Sequence, residues 1–430
     1  MVQKGNHFWE RIKNNRAAIN LSSLLTGNII AVLIPVLISP ILTRLFTEND
    51  FGLLTVFNSI VAISLSFATG RLDFAIIEAK NKSIATHLFF LSIIIASMAS
   101  IIALVIGLSI VPFIKGIESN ILISIVVIIP VMILTSAITQ SCRYVLNRAD
   151  NYTELSIIKV LRSLGAGGLQ LTGGYIAPSS LILIGGKVIG DIGALCFSLW
   201  FVVKNKLLDE KLHRYKFRYA LNKYSKYYKV NALHALFNTT SSNILPLIFA
   251  ALFTIQETGY YGLSFRVCIL PITIISQAIF QFYSREFAKK MESERSPKRM
   301  FSKMVKTLLL ISIGPFFLLL FFGPQLFGFV FGQNWTESGM YAQILAPYML
   351  MVFLVSPFTF VPIRLDRHVK SFTIEIINTV FRLTALLIGA KYNVLIALAL
   401  YSAVGFIVQC YLLIWIARLT KEAGNILLKS

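Results

Sequence analysis

Residues 40–52 read PILTRLFTENDFG, and residues 68–75 read ATGRLDFA. The first stretch closes an apolar run with a bend, an arginine and an acidic turn. The second ends the next apolar run and sets Arg71 two residues before Asp73. A charge facing lipid at the centre of a span costs about 2.5 kcal/mol or more on insertion scales. Arginines kept at the ends of two successive runs therefore point to a water-filled interior that takes an anion.

Apolar runs of this length recur throughout the chain, at 22–43, 53–70, 87–111, 121–141, 157–176, 181–203, 232–253, 263–283, 307–330, 341–361, 373–390 and 393–417. A hydrocarbon core about 30 Å thick needs about 20 apolar residues in a helix but only about ten in a β-strand. The lengths select helices. With 56% hydrophobic residues and a mean hydropathy of +0.74, a soluble globule is excluded. The expected fold class is an all-α polytopic membrane protein with about twelve transmembrane helices in two six-helix lobes.

The formal charge of +21 raises nucleic acid as a partner, and its distribution argues against it. Of 40 Lys and Arg, Arg44, Lys115 and Lys391 fall on one side, and Lys187, Arg266 and Arg382 fall within spans. The remaining 34 lie on the opposite side. That asymmetry is the positive-inside bias, and it orients both termini to the cytoplasm. No nucleic acid is needed to explain it. The basic N-terminal stretch runs into a span without a small-residue cleavage site, which reads as an uncleaved first helix. Phe8, Trp9 and Ile12 share one side of a short interfacial helix. The four cysteines show no C-x-x-C spacing, so neither a disulfide frame nor a metal site is expected.

The longest polar interval, 204–231, divides residues 1–203 from 232–430, an N-terminal and a C-terminal six-helix lobe joined by a basic cytoplasmic linker. Internal echoes support the division. Leu45-Phe46-Thr47, then Phe51-Gly52-Leu53, recurs as Leu252-Phe253-Thr254, then Tyr261-Gly262-Leu263. More faintly, Gly70-Arg71-Leu72-Asp73-Phe74-Ala75 recurs as Ser284-Arg285-Glu286-Phe287-Ala288. Parallel repeats are one of the two building plans of transporters.

Several polar residues fall inside spans. Asn28 and two prolines lie in the first, and Asn238, Asn243 and Pro246 in the seventh; corresponding interrupted helices point to a central cavity, although Ser and Thr are also ordinary packing residues in membranes. Lys187 and Asp191 stand four apart on one helix face, as a structural clamp or as part of a coupling-ion site. Arg382 lies mid-span with Glu375 the nearest acid on its own helix. Arg44 and Arg266 lie near outer span ends, where snorkelling to the interface is also open to them. The cationic cavity candidates are thus Arg44, Arg71, Lys187, Arg266 and Arg382. Asp73, Asp191 and Glu375 are the candidates for coupling or salt bridges. Arg143, Arg148, Lys159 and Arg162 cluster around the turn between spans four and five, and arginine suits bidentate phosphate contacts. Gly165-Ala166-Gly167-Gly168 reads as close helix packing. No H-x-x-x-H pair and no G-x-x-x-x-G-K loop occurs, so no catalytic residues, no metal and no ATP hydrolysis are expected.

On Pro40-Ile41-Leu42-Thr43-Arg44-Leu45-Phe46, Asp50-Phe51-Gly52 and Thr69-Gly70-Arg71 with Ala75-Ile76, the chain resembles the Wzx-type O-antigen and polysaccharide flippases of the multidrug/oligosaccharidyl-lipid/polysaccharide exporter superfamily. Leu72 and Asp73 are conservative departures, and the turn proline common in that family is missing. The R-D pair of the peptidoglycan-precursor flippases is absent from the first span. The resemblance implies two six-helix lobes around a V-shaped central cavity. It also implies transfer of an undecaprenyl-diphosphate-linked oligosaccharide from the cytoplasmic to the periplasmic leaflet of the bacterial inner membrane. No cofactor is implied beyond H+ or Na+ as a coupling ion, and a polysaccharide polymerase and a chain-length regulator are the implied protein partners. A drug or cation antiporter would want acids where this chain has Lys and Arg. A polymerase or acyltransferase would want a large outer loop or an in-membrane His/Asp motif, and neither is visible.

Overall fold

The computed structural model describes residues 26–113, 118–208, 211–292 and 297–427. The expected interfacial helix around Trp9 and the start of the first span lie outside them. The described residues form helices and turns with no strand: α1 (Thr26–Leu45), α2 (Glu48–Ala68), α3 (Leu72–Glu78), α4 (Lys82–Ile110), α5 (Ser119–Arg148), α6 (Tyr152–Ile176), α7 (Ser180–Lys204), α8 (Arg214–Lys223), α9 (Ala232–Leu252), α10 (Ile255–Glu292), α11 (Lys298–Phe331), α12 (Thr336–Val355), α13 (Phe360–Arg364), α14 (His368–Ala390) and α15 (Val394–Leu427).

Among the described residues, 11 helical segments are long and apolar enough to cross a membrane. The helix at the expected fifth span, α6, is comparably long but carries Lys159, Arg162, Gln170 and several glycines. Large apolar side chains such as Leu310 (74%) and Ile407 (65%) stand exposed on the helices. A protein in water would not tolerate so broad an apolar exterior; lipid supplies the missing contacts.

The chain forms two compact units, Met1–Leu247 and Ile248–Ser430. The division falls inside α9, so the basic 204–231 interval belongs to the first unit. In that unit α6 and α7 approach closely. A Cβ on Gly190 would stand 2.6 Å from the backbone nitrogen of Ala166, and one on Gly165 only 3.6 Å from Gly190 Cα. One on Gly167 would stand 2.5 Å from Ile38 of α1. Gly165, Ala166 and Gly167 pack helices, as the sequence implied, while a Cβ on Gly168 would meet nothing within 4 Å. In the second unit, α11 breaks helical geometry at Phe322, two residues before Pro324. There a Cβ on Gly339 of α12 would stand 2.4 Å from the Gly323 carbonyl oxygen.

The first sequence echo has a structural counterpart at the helix starts. Thr47 caps α2 by accepting from the Asp50 N–H at 3.3 Å, and Asp50 accepts in return from the Thr47 N–H at 3.0 Å. Thr254 caps α10 likewise, accepting from the Glu257 N–H at 3.1 Å. The second echo does not extend to the backbone. Gly70 and Arg71 both have positive φ (58° and 57°), reversing the chain between α2 and α3, whereas α10 runs unbroken through Ser284 and Arg285. Glycine meets the first of those positions without strain; arginine occupies the second at a cost of about 1–2 kcal/mol.

Candidate functional site

In the first unit, polar groups gather where α3, α5 and α6 meet. The buried Asp73 carboxylate accepts from Thr69 Oγ1 at 2.7 Å and from Gln140 Nε2 at 2.5 Å. Arg71 lays its guanidinium over the Phe74 ring at 4.7 Å, and its buried Nε has no partner among the described residues. Gln140 also lines a cavity of about 170 Å³ with Arg143, Tyr144, Asn147, Leu155 and Lys159. Arg143 lies within electrostatic range of both Lys159 and Arg162. The cavity wall is therefore cationic, with amide and phenol groups between the charges.

Not every basic residue of this cluster is free for a ligand. Arg148 Nη1 donates to the carbonyl oxygens of Ile76 (2.9 Å) and Ala79 (2.5 Å), satisfying the end of α3. Lys159 reaches Asn28 of α1, and Ser163 Oγ donates to Ala31 O at 2.8 Å, so α6 and α1 are tied by side chains.

Asp191 has Lys187 one turn away on its own helix, α7. The structure brings it a cation from another helix: Arg162 of α6 pairs with Asp191, while Lys187 donates to Asn58 of α2. Asp191 is buried, and its second carboxylate oxygen has no partner among the described residues.

In the second unit, Arg382 of α14 is held between two aromatic faces. Its guanidinium lies 4.3 Å from the Tyr348 centroid and 4.0 Å from that of Tyr401, and it donates to the Tyr401 hydroxyl. The two rings meet edge to face at 6.2 Å, and a Cβ on Gly405 would stand 2.6 Å from Tyr348. Arg382 Nε is buried and without a partner among the described residues. So is Oδ1 of Asn378, one turn earlier on the same helix. An orphaned donor and an orphaned acceptor at that spacing suit a hydroxyl or a water between them. Tyr261, fully buried, lies within range of the Arg382 charge.

The remaining candidates scatter. Arg44 is exposed at the C-terminal end of α1, and Glu375 is exposed on α14. Arg266 is half-buried on α10. Asn238 is exposed, and Asn243 donates its amide to Thr239 O of its own helix at 2.9 Å.

A family profile described as "Polysaccharide biosynthesis protein" matches residues 41–340. The chain belongs to the polysaccharide biosynthesis protein family. No curated protein matches its sequence. Solved structures match this polysaccharide biosynthesis protein across nearly its whole length. An inward-facing multidrug resistance MATE family transporter of the MOP superfamily superposes at TM-score 0.68 with 13% identity, covering 96% of this chain and 99% of that one. A MOP superfamily transporter from Pyrococcus furiosus, whose description reads "reverse polarity of binding pocket suggests different function", superposes at 0.62 with 14% identity and 96% of each chain. An outward-facing MATE family transporter of the MOP superfamily gives 0.58 with 14% identity, over 95% of this chain and 96% of that one. At identities this low the likeness shows the fold alone, one shared with these three transporters.

Within this polysaccharide biosynthesis protein, sequence reasoning singled out Arg382 but missed Tyr348, Tyr401 and Asn378. The tyrosines come from other helices, 34 residues before and 19 after, and no periodicity links them to Arg382. Asn378 carried a usable signal, since a position four residues from a mid-span charge shares its face.

Proposed function

We propose that the protein is a flippase that moves an undecaprenyl-diphosphate-linked oligosaccharide between the leaflets of a bacterial inner membrane by alternating access, coupled to an H+ or Na+ gradient. The observation that carries the reading is the cationic cavity of the first unit, where Arg143 faces a space sized for a small anionic headgroup and Lys159, tied to Asn28, adds its charge to the wall. Arginine presents a planar fork that fits phosphate oxygens in pairs, and a diphosphate offers several. The membership of a polysaccharide biosynthesis family supports a sugar-bearing substrate. A drug or cation antiporter is disfavoured by the same wall, because a cationic substrate would meet like charge there.

Purified full-length protein reconstituted in vesicles, with a fluorescently labelled undecaprenyl-diphosphate oligosaccharide, tests the reading. Arg143→Gln should slow transfer about tenfold or more, the equivalent of one charge-assisted hydrogen bond lost, while Arg143→Lys keeps part of it. Transfer unchanged in both Arg143→Gln and Lys159→Gln would sink this assignment. Orientation is checked in intact cells: Cys substituted at the exposed Ser119 and Lys391 should label from outside. Cys at the exposed Asp366 should not.

A further inference from the structure

The α8 helix, in the basic interval of the first unit, has two sharply different faces. Its inner face carries Phe217, Ala220 and Leu221, which pack with Tyr224 against the core formed by α3, α4, α5 and α7. Three contacts fix its level. The His213 N–H donates to His87 Nε2 at 3.0 Å, Lys216 Nζ donates to Ser83 Oγ at 2.8 Å, and the Phe217 ring meets that of His87 at 4.7 Å. Both His87 and Ser83 lie in the first two turns of α4. Lys82 Nζ also donates to Lys206 O at 2.6 Å, just beyond α7. The helix is therefore tied to the start of α4, the end that Lys82 joins to the chain just beyond α7, and Trp200, an exposed ring, stands one turn before the end of α7. Tryptophans at span ends mark the headgroup level.

The outer face is built from two stripes at four-residue spacing. Arg214, Arg218 and Asn222 form one; Tyr215, Tyr219 and Lys223 form the other. Tyr215 is 69% and Tyr219 48% exposed. Lys223 Nζ sits 5.4 Å from the Tyr219 ring centroid. No acidic residue occurs from Lys211 to Lys229; the nearest in sequence, Asp209 and Glu210, precede the helix. Two arginines four apart repel one another, and an isolated helix is weakened by such a pair unless an anion lies against it. Topology alone would account for the charges but not for tyrosines exposed beside them. Arginines flanking amphipathic rings, on a helix with no acid of its own and tied to the end of a membrane-spanning helix, match an anionic lipid surface.

We propose that the outer face of α8 binds the anionic phospholipid headgroups of the leaflet it lies on, with Arg214 and Arg218 contacting lipid phosphates and Tyr215 and Tyr219 seated at the interface. This surface is separate from the cavity between α5 and α6 and does not depend on the identity of the transported molecule.

The test uses the full-length protein with Cys196→Ser and Cys410→Ser, leaving the buried Cys142 and Cys268, and an environment-sensitive fluorophore on Asn222→Cys. It is reconstituted in phosphatidylcholine vesicles holding increasing shares of phosphatidylglycerol. Emission should rise with the phosphatidylglycerol share. The half-maximal share should increase about fivefold in Arg218→Gln, the equivalent of about 1 kcal/mol for one basic residue at an anionic surface. The response should vanish when Arg214→Gln is added, with monodisperse elution retained in every variant. Equal emission with and without phosphatidylglycerol overturns the proposal, as does a response that survives loss of both arginines. Emission that rises when inorganic phosphate is added over pure phosphatidylcholine vesicles assigns a free-anion site instead. A rise with added RNA assigns a nucleic-acid surface. Either result overturns the lipid assignment.

Discussion

Arg162 of α6 forms an ion pair with Asp191 of α7 across the seam where Gly190 meets Ala166. The glycine and alanine let the two backbones approach, and the approach brings the charges together. The two partners are unequal: the Asp191 side chain is 4% exposed and that of Arg162 39%.

That inequality sets an order for their substitutions. Arg162→Gln strands a buried carboxylate and should cost about 3 kcal/mol, at the lower end for breaking a buried pair. Asp191→Asn leaves an arginine that can turn toward water, and should cost about 1 kcal/mol or less. The double substitution should be milder than Arg162→Gln alone. Thermal unfolding of the purified protein in detergent gives the order directly, and an equal loss in both single variants would contradict it.

Gly190 and Gly193 lie three residues apart on α7 and should respond in opposite directions to alanine. Gly190→Ala drives a methyl into the α6 backbone and should destabilise by about 1–3 kcal/mol. A Cβ on Gly193 meets nothing within 4 Å, so Gly193→Ala should be neutral or stabilise by about 0.5–1 kcal/mol through helix propensity. The same unfolding measurement reads both.

Arg382 is stacked as well as charged, so lysine is a poor replacement. Arg382→Lys keeps the cation but loses the guanidinium's reach to both rings and to the Tyr401 hydroxyl, and should lower the unfolding temperature by the equivalent of about 1–2 kcal/mol. Tyr401→Phe keeps the stack and removes one hydrogen bond, costing about 1 kcal/mol. If Arg382→Lys is as stable as the unaltered protein, the aromatic cage contributes nothing.

The two related helix starts should respond alike. Thr47→Ala and Thr254→Ala each remove a side-chain cap, worth about 1 kcal/mol. Thr47→Ala should be the costlier, because the Asp50 side chain also accepts from Thr47 Oγ1, at 2.8 Å. Equal unfolding shifts in the two variants would mean that the side-chain bond from Thr47 to Asp50 adds nothing.

The sequence by itself determined the all-helical membrane fold, because apolar runs of spanning length admit one way of satisfying the backbone in lipid. It ended the second apolar run at Gly70, and it read close helix packing at Gly165–Gly168, where Gly165, Ala166 and Gly167 meet other helices, since small side chains let backbones approach. It also located the first-unit cations Arg143 and Lys159 around one turn, where adjacency in the chain and in space coincide. Only the tertiary structure decided which charges are partners. It gave Asp191 to Arg162, set Arg148 on the end of α3, and enclosed Arg382 between tyrosines from two other helices. Spacing along one helix reports which residues share its face, but an ion pair or a cation–aromatic stack is settled by which neighbouring helix that face meets. That depends on packing between segments distant in sequence, and a single sequence carries no local signature of it.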